Sequence, residues 1–187
     1  MNDDAERLRR SIGKPDLFEE IFARHYGAIL RYARQRVGHS LGEDIASRTF
    51  AIAFERRETY DPRRSSARPW LYGIATNLIR HHYRDEKTHL AALARMPIDP
   101  DFDDVDDPAH LDAERLRPAL LAGLADLKPA DREVFVLFAV VQLTYGEVAQ
   151  SLGIPVGTVR SRIHRARHRL REQMGPQVAS TDEQGKA

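Results

Sequence analysis

Apolar residues recur at three- and four-residue spacing through most of this chain, and no stretch of useful length alternates at the two-residue spacing of a half-buried strand. The pattern predicts an all-α protein. Leu17, Phe18, Ile21, Phe22, Tyr26, Ile29, Leu30, Ala33 and Val37 mark a first helix, opened by Pro15-Asp16 and ended at Gly38. A second runs from about Leu41 to Glu58, with Ile45, Ala46, Phe50, Ala53 and Phe54 on one face. The stretch Tyr60-Asp-Pro-Arg-Arg-Ser-Ser-Ala-Arg68 is rich in turn formers and arginine, so it reads as a loop. Pro69 suits the first turn of a third helix, whose Trp70, Leu71, Ile74, Ala75, Leu78 and Ile79 would pack inward. These elements predict a helical domain over residues 1–92, begun by a charged segment.

The pattern then lapses. Met96-Pro-Ile-Asp-Pro-Asp-Phe-Asp-Asp-Val-Asp-Asp-Pro108 has three prolines and too little apolar content for a core, which predicts an acidic, extended linker over 93–111. Helix signals resume near Leu111, with Pro118 starting or kinking an element that carries Leu120, Leu121, Leu124 and Leu127. Asp131, after Lys128-Pro129-Ala130, is a cap candidate ahead of Val134, Phe135, Leu137, Phe138 and Val141. From Thr144 to Leu170 two helical patterns meet at Gly153-Ile-Pro155, with Val148, Ala149, Leu152, Val159, Ile163, Ala166 and Leu170 as their facing apolar positions. The second predicted domain is thus 112–174, followed by a polar tail, 175–187, expected to be disordered. The fold class is two small helical domains joined by a flexible acidic linker.

Charge changes the picture. Lys+Arg 29 against Asp+Glu 28 gives a formal charge of +1, yet the signs are segregated. Met96 to Glu114 holds Asp99, Asp101, Asp103, Asp104, Asp106, Asp107, Asp112 and Glu114 with no lysine or arginine. The last helical pattern, by contrast, leaves Arg160, Ser161, Arg162, His164, Arg165, Arg167, Arg169 and Arg171 outside its apolar stripe, opposed by Glu172 alone. A helix, a tight turn and an arginine-loaded second helix form a helix-turn-helix, which makes DNA the expected partner, against the alternative of an arginine-rich solvated or protein-binding helix. Arg160, Ser161, His164 and Arg165 share the outward face near the helix start, where side chains reach base edges. Arg162, Arg167 and Arg169 suit phosphate contacts, which give affinity without sequence information.

Other chemistries lack their parts. With Cys 0, disulfides, thiolate zinc sites and cysteine nucleophiles are excluded. Aligning Asp99, Asp101 and Asp103 on a calcium loop puts Asp104 where glycine is needed and His110 where a bidentate glutamate is needed. His81 and His82 are adjacent, about 100° apart on a helix, and cannot jointly chelate one ion. No metal or other cofactor is expected. Nor does any Ser-His-Asp set, phosphate-binding glycine loop or catalytic carboxylate pair stand out, so the expectation is a protein that is not an enzyme and takes no small-molecule substrate. No segment has signal-peptide or membrane-span character, which predicts a cytoplasmic protein with no membrane partner.

Two helical modules in this order, joined by an acidic linker, resemble the extracytoplasmic-function (ECF) sigma factors of the bacterial sigma-70 family. The resemblance spans about Leu17 to Leu170. Leu127-Lys-Pro-Ala-Asp-Arg132, Thr144-Tyr-Gly-Glu-Val-Ala149, Gly157-Thr-Val-Arg-Ser-Arg162 and Arg165-Ala-Arg167 look like the family's region four, which reads the promoter's upstream element. Trp70-Leu71, Ile74-Ala75, Asn77 and Arg84 look like the region-two helix that engages the downstream element. Glu43-Asp44-Ile45 and Phe50 look like the helix that docks on the RNA polymerase clamp. Ser47 and Arg48 depart from the Gln and acidic residue common there, Phe54 stands where Trp is usual, and His81 where Asp is common. The resemblance implies core RNA polymerase and promoter DNA as partners, and a membrane or soluble anti-sigma protein as regulator. It further implies that the Tyr60 to Arg68 loop holds a flipped base of the nontemplate strand. That loop with Asn77, Arg80 and Arg84 supplies aromatic and cationic groups for an exposed strand, Tyr60, Arg63, Arg64 and Arg68 among them. Tyr60 is open to core packing or strand contact, and Trp70 to a plain core role.

Two rival functions remain at this stage. A helix-turn-helix repressor or activator would bind paired half-sites as a free dimer. A nucleic-acid enzyme using the His and Asp residues would turn over with metal.

Overall fold

Asp4 and Leu8 begin a helix that the apolar pattern did not announce, because eight residues hold only two inward apolar or small positions, Leu8 and Ser11, besides a buried carboxylate. This is α1, Asp4–Ser11, in a computed structural model that describes residues 4–64, 66–90 and 123–174. The acidic segment 93–111, the element around Pro118 with Leu120 and Leu121, and the tail from 175 lie outside the described residues. The chain divides into two compact units, and no strand occurs among the described residues.

In the N-terminal unit, a 3-10 turn at Pro15–Leu17 leads into α2, Phe18–Val37, and the chain reverses at Gly38 into α3, His39–Glu55. A second 3-10 turn, Arg57–Thr59, precedes the loop, and α4 runs Arg68–Leu90. The expected three long helices are all present; α2 starts later and α3 ends earlier than expected, where 3-10 turns take over, and α4 starts one residue before Pro69. Ile21, Ile29, Ala33, Ile45, Ala46, Phe50, Ala53, Leu71, Ala75 and Ile79 form the core. Tyr72 and Thr76 join it beyond the expected set, Tyr32 hydrogen-bonding Thr76 Oγ1 at 2.8 Å and its ring meeting that of Tyr72 edge-on at 5.1 Å. α2 and α3 approach so closely that a Cβ at Gly42 would lie 2.7 Å from the Arg34 backbone, so only glycine fits there.

The C-terminal unit is built on α5, Pro129–Phe135, continued by one wider π turn at Val136–Val140, then α6, Tyr145–Leu152, and α7, Val156–Met174. Asp131 does not cap α5 as expected. Lys128 occupies the cap position with no side-chain hydrogen bond, and Asp131 sits inside the first turn, bonded elsewhere. Leu127, Val134, Leu137, Leu143, Val148, Val159, Ile163, Ala166 and Leu170 are buried together as the facing apolar pattern requires.

Candidate nucleic-acid interface

Thr144-Tyr-Gly-Glu147 starts α6 as a capping box: the Glu147 carboxylate accepts from the Thr144 N–H at 2.8 Å, and the Glu147 N–H donates to Thr144 Oγ1 at 3.3 Å. The same helix ends on Gly153, whose φ of 63° is the left-handed conformation that glycine adopts at least cost. The Ile154 N–H then reaches back to the Ala149 carbonyl at 3.0 Å, the six-to-one bond of a Schellman ending. Pro155 stops this wrap, and its carbonyl accepts from Thr158 and Val159 N–H at 2.9 and 3.1 Å, which starts α7. Local bonds thus set the turn angle and present α7 rigidly.

On α7, Val159, Ile163, Ala166 and Leu170 face inward. Arg160, Ser161, His164, Arg165 and Arg169 are exposed, and Arg162 and Arg167 half-buried. Several of these are already held. The Phe138 and Tyr145 rings stack at 4.9 Å and 7°, the Arg160 guanidinium lies 6.0 Å from the Tyr145 ring, and that of Arg167 lies 5.5 Å from Phe138. Arg165 forms a two-bond fork on the buried Asp131, at 2.9 and 3.2 Å, and that hydrogen bond favours its charged form further. The partners are 34 residues apart, so no local sequence signal could have revealed the pair.

In the N-terminal unit the loop residues divide into buried and exposed. Tyr60 is 8% exposed, its hydroxyl donates to the Arg64 carbonyl at 2.9 Å, and its ring sits 5.3 Å from that of half-buried Trp70. Burial, then the nearby Asp4 carboxylate, pushes the Tyr60 phenol up to about 12. Asp61 accepts from the Arg63 backbone and side chain at 3.1 and 3.0 Å and lies 3.5 Å from Arg64, and the Arg63 side-chain bond leads in holding its carboxyl below the usual range. Arg63 and Arg64 are exposed, Arg68 half-buried. Seven-residue spacing places Trp70, Asn77 and Arg84 along one line of α4, Asn77 and Arg84 being exposed and Arg80 half-buried.

Of the residues expected at the polymerase surface, Glu43 and Asp44 are exposed on α3, Glu43 paired with Arg34 at 2.6 Å and Asp44 3.9 Å from Arg48. Ile45 and Phe50 are core residues, 1% and 3% exposed. α2 and α3 also expose two aromatic rings: Phe22 and Phe54 are 40% and 36% exposed, and Phe22 packs on Tyr26 and Phe50 at 4.6 and 5.0 Å. Both lie on the expected inward stripe, and their exposure was not foreseen.

A helix-turn-helix unit with a cationic face, and a helical unit with an arginine loop, together define a two-module nucleic-acid-binding protein. Sigma-70 region 2 matches residues 21–89, and sigma-70 region 4 matches residues 117–170. The chain is 34% identical over 175 residues to RNA polymerase sigma factor CarQ of Myxococcus xanthus, across 91% of this chain and 95% of CarQ. It is 31% identical over 169 residues to ECF RNA polymerase sigma factor SigE of Mycolicibacterium smegmatis, spanning 88% of itself and 64% of that longer protein. The solved structure of CnrH, a sigma factor of Cupriavidus metallidurans, in complex with the cytosolic domain of CnrY, matches with a TM-score of 0.65 at 29% identity, over 90% of this chain and 95% of that one. The chain therefore belongs to the ECF group of the bacterial sigma-70 family, the factors that join core RNA polymerase and direct transcription initiation at particular promoters. Among the described residues no helix is long and apolar enough to cross a membrane.

Proposed function

We propose that this factor divides promoter recognition between its two modules, with α7 reading the upstream element as duplex and the loop with α4 engaging the downstream element as a separated strand. Arg160, Ser161 and His164 face the bases, while Arg162, Arg167 and Arg169 hold phosphates. Arg165 has another part, since its fork is occupied by Asp131: it ties α7 to α5 and leaves only its outer edge for a phosphate. The observation that carries this reading is the uninterrupted outward face of α7 over a fully apolar inner face, mounted on a turn fixed by local bonds.

Arg63, Arg64, Arg68, Asn77, Arg80 and Arg84 line the strand, Trp70 offers a partly exposed ring, and Tyr60 shapes the loop from inside. Glu43 and Asp44, with the Phe22 and Phe54 edges, meet core polymerase, and Ile45 and Phe50 hold α3 in shape beneath them. The acidic segment 93–111 tethers the two modules. The protein works in the cytoplasm and carries no catalytic chemistry of its own. An anti-sigma protein holds it silent, a reading supported by the complex in which the similar CnrH is found.

Run-off transcription with purified core polymerase tests the whole reading. Promoter-dependent transcripts that require this chain are the expected result. Tight dimeric operator binding without polymerase would support a repressor instead, and metal-dependent turnover of DNA an enzyme.

A further inference from the structure

Asp4 has no exposed surface, and its carboxylate accepts three hydrogen bonds from two other parts of the N-terminal unit. Arg24 Nη1 donates at 2.6 Å, His25 Nε2 at 2.9 Å, and the backbone N–H of Ala67 at 2.9 Å. The first two fix the carboxylate to α2. The third fixes the end of the strand-engaging loop to the carboxylate. Burying a charge this completely is costly unless it is paired and hydrogen-bonded, and these three bonds answer it, so the site holds its geometry closely.

At its other end α1 meets the start of the same loop. The Ser11 carbonyl accepts from Arg57 Nε at 3.3 Å, and Arg57 also donates to the Phe54 carbonyl at the end of α3. One eight-residue helix, about 10 Å long, thus holds both flanks of the segment between Arg57 and Ala67. Between the 3-10 turn and residue 64 the backbone is irregular, kept in place by the Tyr60 hydroxyl on the Arg64 carbonyl and by the Asp61 carboxylate on the Arg63 N–H. Such a loop has many conformations of similar energy, and fixing both ends removes most of them. The exposed Arg63 and Arg64 lie between the two fixed points.

We infer that α1 acts as a strap on the 60–68 loop, with Asp4 as the positioning residue that holds Arg63, Arg64 and Arg68 in the arrangement that receives the separated strand. This rests on the assignment of strand engagement to that loop. Asp4 touches no nucleic acid itself and acts through the Ala67 backbone. Loss of the carboxylate leaves the loop competent for only a fraction of the time, and strand capture falls by that fraction.

The test uses the full chain with core polymerase and follows opening of the downstream element with a fluorescent base analogue. Asp4→Ala should slow opening on the order of tenfold if the competent fraction falls to about a tenth, with core affinity and duplex binding at the upstream element unchanged. Asp4→Asn, which keeps an oxygen for the Ala67 N–H but loses the charge, should recover part of the rate. Ile79→Ala, a core substitution eleven residues, about 16 Å, along α4 from Arg68, supplies the control for general destabilisation, with rates compared at equal distance below each variant's melting temperature. If Asp4→Ala opens the promoter like the wild type, or slows it no more than Ile79→Ala does, the strap is refuted while the loop assignment stands. If Arg63→Ala with Arg64→Ala leaves opening intact, the loop assignment itself falls and the strap with it.

Discussion

The two regions proposed to face nucleic acid meet opposite problems with opposite kinds of structure. α7 is regular, begins at a turn set by bonds between residues at most five apart, and carries its cations on one side of an apolar stripe. The 60–68 loop is irregular, and two of its fixing contacts come from residues 46 and 63 positions away in sequence. A duplex presents a fixed groove, so a rigid helix of fixed pitch suits it. A separated strand has no fixed form, so what receives it must supply a pocket shape of its own, held from outside. The difference teaches that rigidity is built locally where the target is regular and at long range where it is not.

The largest expected effect that separates the regions is structural. Ile163, 2% exposed, anchors α7, and Ile163→Ala should destabilise the C-terminal unit by about 2–5 kcal/mol. Thermal unfolding should then show that unit melting early while the N-terminal unit is unchanged. Joint loss of both would mean the units are not independent.

Acid should single out the other region. Burial alone would raise the Asp4 pKa, but bonds from His25, the Ala67 N–H and Arg24 together lower it from 3.8 to about 2. The charged form is thus favoured in the folded state, contributing about 2 kcal/mol that is complete above pH 4 and lost as pH falls toward 2. Urea unfolding of wild type and Asp4→Asn should therefore converge across that window in the N-terminal unit. A gap that stays constant from pH 5 to 2 would remove Asp4 ionisation from the account.

Base reading on α7 should be uneven. Arg160→Ala should cost about 1–3 kcal/mol at one upstream base pair, whereas Arg169→Ala should weaken all sequences alike and reduce the salt slope by about one. Binding titrations on substituted upstream elements at several salt concentrations distinguish the two, and equal sequence dependence would overturn the division of roles. The smallest effect is that of Thr144→Ala, which removes half of the capping box and should cost about 0.5–2 kcal/mol of C-terminal stability, read in the same melts.

The same local-versus-distant contrast governs what was legible in the sequence. The Gly153 turn and the stripe from Val159 to Leu170 are short-range patterns and were readable, whereas the equally local capping box of Thr144 and Glu147 was not among the expectations. The three long helices of the N-terminal unit were readable for the same reason, their ends less so because 3-10 turns at Pro15–Leu17 and Arg57–Thr59 share the helical composition. Helix α1 escaped because its inward face is one apolar residue, Leu8, between the polar Asp4 and Ser11, and the partners on α2 and Ala67 are what make the Asp4 carboxylate buriable. Asp131 resembled a cap from its neighbours, and its bond to Arg165 depends on how α7 packs. Phe22 and Phe54 sit on the helical stripe, but α2 and α3 cover only part of it.

The central claim is that strand opening belongs to the loop and α4 while upstream recognition belongs to α7. Permanganate reactivity of unpaired thymines near the start site tests it directly, measured with core polymerase on a promoter for this factor. The account predicts reactivity with the wild-type chain, none without core, and none when Arg63→Ala, Arg64→Ala and Asn77→Ala are combined, with footprint protection of the upstream element retained in that variant. Reactive thymines with the triple variant, or upstream protection lost together with opening, would contradict it.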